Sequence, residues 1–216
     1  MPDLEPPRHR GSPERREMDG EAGPSSGFSA IILAGGSSRR MGADKALLQL
    51  DGASMLARTI AVLTEMGGEV TVVGRERLPD DAAAIAVIAD GVTNAGPLGG
   101  LEAGLSCCPF RFALAVSCDL PHLNADLLRY QLELAPDFEA VVPWIGGRAH
   151  PLHAVYAVAV LDRIREQLRA GRYRLTDLLD RLQVRWVTDV ECRRFDPAMR
   201  SWSNVNTPAE WECVRA

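Results

Sequence analysis

No two of the five cysteines show the Cys-x-x-Cys spacing of a zinc or redox site, and their odd count gives no paired disulfide framework. Cys107 and Cys108 are adjacent, a poor geometry for an ordinary bridge. The thiols read as reduced and packed as small hydrophobes. Long apolar runs are also missing, since stretches such as Ala82 to Ala89 and Ala154 to Leu161 fall far short of a membrane span. A basic excess is absent as well. The formal net charge is -5, so neither nucleic acid nor a membrane is an expected partner, while the unpaired thiols lead to the expectation of a reduced, cytoplasmic protein. The chain contains no internal repeat.

Residues 1–27 carry five prolines, four glycines and mixed charges, with Leu4 as the one branched aliphatic side chain. They have no apolar segment of the kind a secretory signal needs. Such a stretch cannot bury enough surface to offset its ordering entropy, so a disordered tail is expected, with Met18 as an alternative start. The remaining 28–216 are expected to form one domain. Over the whole 216-residue chain, 46% hydrophobic and 25% charged residues suffice for one good-sized core.

Phe28 to Leu33 reads as a buried strand. Ser54 to Met66 has apolar residues at helical spacing, with Ser54 as N-cap and Gly67-Gly68 as the stop. Val70–Val73, Ile85–Ile88, Phe112–Ser117, Val155–Val160 and Val184–Val187 read as further strands. Leu98–Ser106, Asn124–Leu134, Leu161–Arg169 and Leu175–Leu182 read as helices. This alternation predicts an α/β fold with a mostly parallel sheet covered on both faces. Ligands of such sheets bind at the carboxyl ends of the strands. The glycine-rich loop after the first strand, Asp90 after the third and Asp119 after the fourth should therefore meet at one edge.

That loop, LAGGSSRRMGADK from Leu33 to Lys45, carries the strongest chemical signal. Its glycines permit close backbone approach, its inward amides can form an anion nest, and Arg39, Arg40 and Lys45 add cations. The common dinucleotide and P-loop fingerprints are absent, because Gly36 and Gly42 are misplaced for them and Ala46 follows Lys45. The competing reading is a tight turn with solvated charges. Asp119, in SCDLP, can hold Mg²⁺ or cap the helix that follows. Gly96-Pro97-Leu98-Gly99-Gly100 can admit a base or ribose to the main chain, or be a structural turn. Asp90 can be a ligand or a solvated strand end. His150 and His153 lack a third ligand at zinc spacing. Asn204 and Asn206, two apart, share one face of an extended segment, and Thr207-Pro208 can open a last helix.

The loop LAGGSSRRMGADKALL resembles the signature of the molybdenum cofactor guanylyltransferases, the MobA family of nucleotidyltransferases. GPLGGL (96–101), CDLPHL (118–123), RAHP (148–151) and NVNTP (204–208) extend the resemblance from Ala30 to about Glu210. Departing from the family, the chain reads Val72-Val73-Gly74 where an Asn often follows the second strand. The resemblance implies a three-layer α/β/α Rossmann-like nucleotidyltransferase fold and Mg²⁺ as cofactor, held by Asp119. It implies GTP binding by Leu33, Ala34, Gly35, Gly36, Gly42, Lys45, Asp90, Pro97, Leu98 and Asp119. Arg39, Arg40, Lys45 and Asp119 are the implied catalytic residues. Arg148, His150, Asn204 and Asn206 fall on the implied pterin side. The implied partners are GTP, molybdopterin, and the proteins that deliver molybdopterin or accept the finished cofactor. The expected reaction is transfer of GMP to the molybdopterin phosphate with release of pyrophosphate. The alternatives are a cytidylyl- or other nucleotidyltransferase on this scaffold, or a nucleotide-binding regulator without chemistry.

Overall fold

The computed structural model describes residues 6, 27–35, 44–89, 95–205 and 207–215. The expected tail (apart from residues 6 and 27) lies outside them, as do Gly36, Arg39, Arg40, Gly42, Asp90 and Asn206.

Strand β1 (Ser29–Leu33) is buried at every position. A 3-10 turn at Lys45–Leu47 leads into a small hairpin, β2 (Gln49–Leu50) with β3 (Ala53–Ser54). Helix α1 (Met55–Glu65) starts where the Ser54 hydroxyl accepts the Ala57 N–H, and it buries Leu56, Ile60 and Leu63 on one stripe. Gly67, at φ 85°, ends it in a conformation that favours glycine. There follow β4 (Glu69–Val73), β5 (Ala86–Ile88), α2 (Gly96–Ser106), β6 (Phe112–Ser117) and α3 (Ala125–Leu134). The second half holds β7 (Ala140–Ile145), β8 (Arg148–Ala149), β9 (His153–Ala157), α4 (Leu161–Arg169), α5 (Leu175–Leu179), β10 (Val184–Thr188), α6 (Asp189–Cys192) and α7 (Pro208–Arg215).

The main sheet has the order β10-β7-β9-β6-β1-β4-β5, with β8 paired to β7. Its strands are parallel except β9 and β8, so nearly all carboxyl ends share one edge. The two faces follow from side-chain alternation. Leu114 and Val116 of β6 join α1 and α3 in one core layer. Ala113 and Ala115 join α2, α4 and α5 in the other. Helix α2 lies close on β1: a Cβ on Gly104 would sit 2.6 Å from Cγ2 of Ile31.

The predicted strands and helices of the first half are present at nearly their expected bounds. Three features of the second half differ. The expected strand Val155–Val160 is His153–Ala157, and Val158–Val160 is a 3-10 turn. The expected helix Leu175–Leu182 stops at Leu179. Strand β7 was hidden by Pro143, since a proline has no N–H to give a ladder. The structure admits it because β7 pairs with β9 only at Ala140 and Val141, and has parted from it before Pro143.

Candidate functional site

At the carboxyl edge, Lys45 and Asp119 come together. Lys45 opens the turn after the glycine-rich loop, and Asp119 stands two residues beyond β6. Lys45 Nζ lies 3.9 Å from Asp119 Oδ2, and both side chains are largely shielded from solvent. The other carboxylate oxygen, Oδ1, is buried and has no hydrogen-bond partner among the described residues. Asn124 and not Asp119 caps α3, by accepting the Leu127 N–H. Asp119 is thus released from the capping role that the sequence left open. A buried carboxylate oxygen without a partner costs free energy unless a ligand satisfies it. Just before it, burial pushes the Cys118 thiol up to about 12, so this cysteine stays a protonated packing residue.

A second pair braces the same place from the β4 side. Arg75 donates Nη1 to Asp44 Oδ1 at 3.0 Å and Nη2 to Oδ2 at 2.7 Å. Asp44 Oδ1 also accepts the Ala46 N–H, capping the turn that carries Lys45. The hydrogen bond from Arg75, ahead of its charge, holds the Asp44 carboxyl below its ordinary range. Sequence reasoning missed Arg75, because the residues after the second strand offered only Gly74 in place of the family's Asn. The partner of Asp44 lies 31 positions away, and no spacing rule reveals it.

Around this centre, Leu33 and Ala34 are buried, Gly35 is exposed, and Leu98 is wholly within the core. The Ala34 N–H is given to the Val73 carbonyl and the Leu33 carbonyl accepts from the Cys118 N–H, so these residues shape the floor of the edge as part of the sheet. Pro97 is exposed in the first turn of α2, whose N-cap Ala95 supplies no side-chain cap. Pro97 has no N–H and Leu98 and Gly99 are buried, so Gly96 is the exposed residue of that turn with an amide to offer.

The C-terminal segment returns to the same edge. Val205 donates its N–H to the Asp119 carbonyl and packs with Leu50, Met55 and Trp211, so exposed Asn204 stands next to the carboxylate's own residue. Thr207 and Glu210 exchange side-chain and backbone hydrogen bonds, which fixes the start of α7. Arg148 is exposed on the β7–β8 hairpin. His150 and His153 hold the Trp202 ring between them at 4.9 and 4.6 Å, and burial holds both imidazoles down to about 4. Among the described residues no three His, Cys, Asp or Glu form a metal cluster, so these two histidines gain no third ligand. A cleft of about 470 Å³ opens on the α1 side, lined by Arg58, His122 and Arg200 among others. Leu120 to Leu123 of the CDLPHL motif line it, but none of the residues the resemblance assigns to GTP, catalysis or the pterin side does.

A strand-end carboxylate facing a loop lysine, on a mostly parallel sheet, is where a nucleotide's phosphates are handled in such folds. Comparison with known proteins decides the family. The profile of the MobA-like NTP transferase domain matches residues 30–186. The chain belongs to this family. Among its relatives, a protein of Pelotomaculum thermopropionicum named "Probable molybdenum cofactor guanylyltransferase" is 34% identical, over 83% of this chain and 88% of its own. The "Molybdenum cofactor guanylyltransferase" of Syntrophotalea carbinolica is 32% identical, over 85% of this chain and 89% of its own. The crystal structure of molybdopterin-guanine dinucleotide biosynthesis protein A from Archaeoglobus fulgidus superposes with a TM-score of 0.73, covering 87% of this chain and 97% of that one. At 22% identity that likeness bears on the fold alone, and the fold is the Rossmann-like nucleotidyltransferase one. Membership of the MobA-like family makes the chain a nucleotidyltransferase.

Proposed function

We propose that this nucleotidyltransferase transfers GMP from GTP to the terminal phosphate of molybdopterin, in the cytoplasm where GTP is available. The named relatives supply the substrates of this reading. The observation that carries its chemistry is Lys45 set against Asp119, whose buried oxygen has no hydrogen-bond partner among the described residues.

An oxygen of the molybdopterin phosphate attacks the α-phosphorus of GTP in line. The bond from that phosphorus to the β-bridging oxygen breaks, and pyrophosphate departs with the electron pair. The protein needs no covalent nucleophile, so positioning and charge neutralisation supply the acceleration. Lys45 stabilises charge developing on the transferred phosphoryl group, with Arg39 and Arg40 on the triphosphate. Gly96 in the first turn of α2 offers a backbone donor to the nucleoside, and Asp90 assists there. Asn204, Asn206, Arg148 and His150 serve the pterin side.

Magnesium fits the donor set, since Mg²⁺ is commonly held by one or two carboxylates, with substrate phosphates and water completing its shell. Asp119 would hold it through the oxygen left without a partner, and the ion would supply neutralisation of phosphate charge.

The test is pyrophosphate release with Mg²⁺ and molybdopterin, comparing GTP, CTP, ATP and UTP. Release with GTP alone supports the proposal. Release with CTP alone assigns the cytidylyl reaction instead, because pocket hydrogen bonding separates the two bases sharply. No release with any nucleotide by folded protein leaves a binding protein without this chemistry.

A further inference from the structure

The cleft on the α1 side gathers positive charge in a chain whose net charge is -5. It runs between α1, the turn that begins at Leu120, and the segment from Asp196 to Ser201. Each of these contributes a basic side chain to the lining: Arg58 from α1, His122 from the turn just past Asp119, and Arg200 from the C-terminal segment. Arg200 Nη2 lies 3.3 Å from His122 Nε2. A guanidinium only donates, so Nε2 accepts and the imidazole is neutral. Burial first, and then Arg200 and Arg58, hold that imidazole below its ordinary range. Both guanidiniums thus bear on one ring.

Other polar groups of the wall are already engaged. Thr59 Oγ1 donates to the Met55 carbonyl at 3.0 Å. Asn124 accepts the Leu127 N–H and donates Nδ2 to the Phe195 carbonyl at 3.0 Å. The buried Asp196 carboxylate takes the Ser201 N–H at 2.7 Å. Arg58 differs from these. Its Nη1 reaches the Leu50 carbonyl at 3.2 Å and the exposed Asp51 carboxylate at 3.4 Å. Its Nε is buried and has no hydrogen-bond partner among the described residues, which costs free energy unless a ligand satisfies it. Arg200 is exposed, so its charge is open to a ligand arriving from solvent. The capacity left in the cleft is therefore cationic, beside an apolar wall that includes Val62, Leu120 and Leu123.

We infer that this cleft is a second anion site, which takes the phosphate group of a small phosphomonoester on Arg58 and Arg200. Two guanidiniums match a dianion, since their planar forks set several N–H donors on phosphate oxygens. A volume of about 470 Å³ lies in the range of small-molecule sites and exceeds what a phosphate group fills. The apolar wall suits the organic part of such a ligand. Lys45 is not among the lining residues, so the cleft is distinct from the end of the glycine-rich loop. Its wall nevertheless begins at Leu120, one residue past Asp119, so an occupant bears on the turn that carries the candidate catalytic carboxylate. Nothing in this recognition depends on which nucleotide or acceptor the protein uses.

Inorganic phosphate is the probe, titrated by calorimetry into the full chain and into variants whose melting matches wild type. Wild type is expected to bind it saturably. Arg200→Gln, a change at an exposed side chain, should weaken binding by about tenfold, and adding Arg58→Gln should remove it. Arg39→Gln with Arg40→Gln, in the glycine-rich loop, should leave that binding in place. No saturable binding by wild type would overturn the site. So would binding that survives in folded Arg58→Gln/Arg200→Gln protein, or binding lost with Arg39 and Arg40 instead. Kinetics then identify the source of the phosphate, through any effect that Arg200→Gln removes. Phosphate that raises KM for molybdopterin makes the acceptor's own phosphate the occupant. Phosphate that alters kcat with that KM unmoved makes the occupant a separate effector, and either result keeps the site. In a protein that releases no pyrophosphate with any nucleotide, the proposed reaction fails while the titrations still decide the cleft.

Discussion

Arg75 closes both terminal nitrogens on the Asp44 carboxylate and thereby ties the end of the glycine-rich loop to the end of β4. Bidentate pairing is the stronger and more directional form of this contact. Arg75 is 16% exposed and Asp44 41%, so screening reduces what the pair adds to stability. Its main effect falls on the placement of Lys45, which directly follows Asp44. Arg75→Gln should lower kcat/KM for GTP by about tenfold while costing about 1 kcal/mol of stability. Asp44→Asn, which can keep the cap on the Ala46 N–H, added to Arg75→Gln should cost little more than either change alone, because both remove the same ion pair. Fully additive losses in kinetics and urea melts would show that the two side chains act separately.

The same pair has a pH signature. Asp44 titrates below its ordinary value in the folded chain, so the pair's stabilisation is complete above the ordinary carboxylate range. It fades as pH falls through the lowered folded value. Melting temperatures of wild type and Arg75→Gln should differ by a constant amount at neutral pH and converge in acid. A difference that persists undiminished into strong acid would contradict the assignment.

Asp119→Asn keeps the shape of the side chain and removes its charge. Turnover should fall by about 10³-fold or more, the scale of losing a charge-stabilising group at a phosphoryl centre, while melting stays near wild type. An Asn variant retaining a tenth of wild-type kcat would take Asp119 out of the chemistry.

Gly104→Ala tests the contact between α2 and β1. The new methyl would meet Ile31 Cγ2 at 2.6 Å, so helix or side chain must shift. The expected cost is about 1–3 kcal/mol, typical of overpacking, against a gain of up to about 1 kcal/mol in helix propensity. Calorimetry that found the variant more stable than wild type would show that the layers have slack.

His153 is fully buried against Trp202 and held neutral, its folded value near 4 against 6.5 in the unfolded chain. A folded value depressed below the unfolded one means that the unfolded chain binds the proton first as acid is added. Stability from this group is whole above 6.5 and is lost on the way down to about 4, up to on the order of 3 kcal/mol. His153→Leu should flatten the plot of unfolding free energy against pH over that window by roughly one proton. An unaltered slope would mean that the imidazole is hydrated in the folded chain.

Much of the first half was legible because each local signal agreed with the next. Ser54 capped a helix with regular apolar spacing, Gly67 stopped it, and the apolar run Phe112–Ser117 placed Asp119 at a strand end. The second half was less legible for identifiable reasons. Pro143 concealed β7 by its missing donor, although the strand had already separated from its neighbour. The start of β9 was concealed by polar His153, which is buried because Trp202 folds over it.

The sequence alone determined the chemistry available: a glycine-rich loop with cations, a lysine at its end, and a carboxylate just past an apolar strand. Those are matters of residue type and short spacing, which local physics governs. Only the tertiary structure decided which groups meet. It placed Lys45 beside Asp119 across 74 positions of chain, brought Arg75 to Asp44, and set Trp144 against Trp186. Those meetings depend on strand order and register, which are fixed by how the whole sheet buries its two faces and by no single segment.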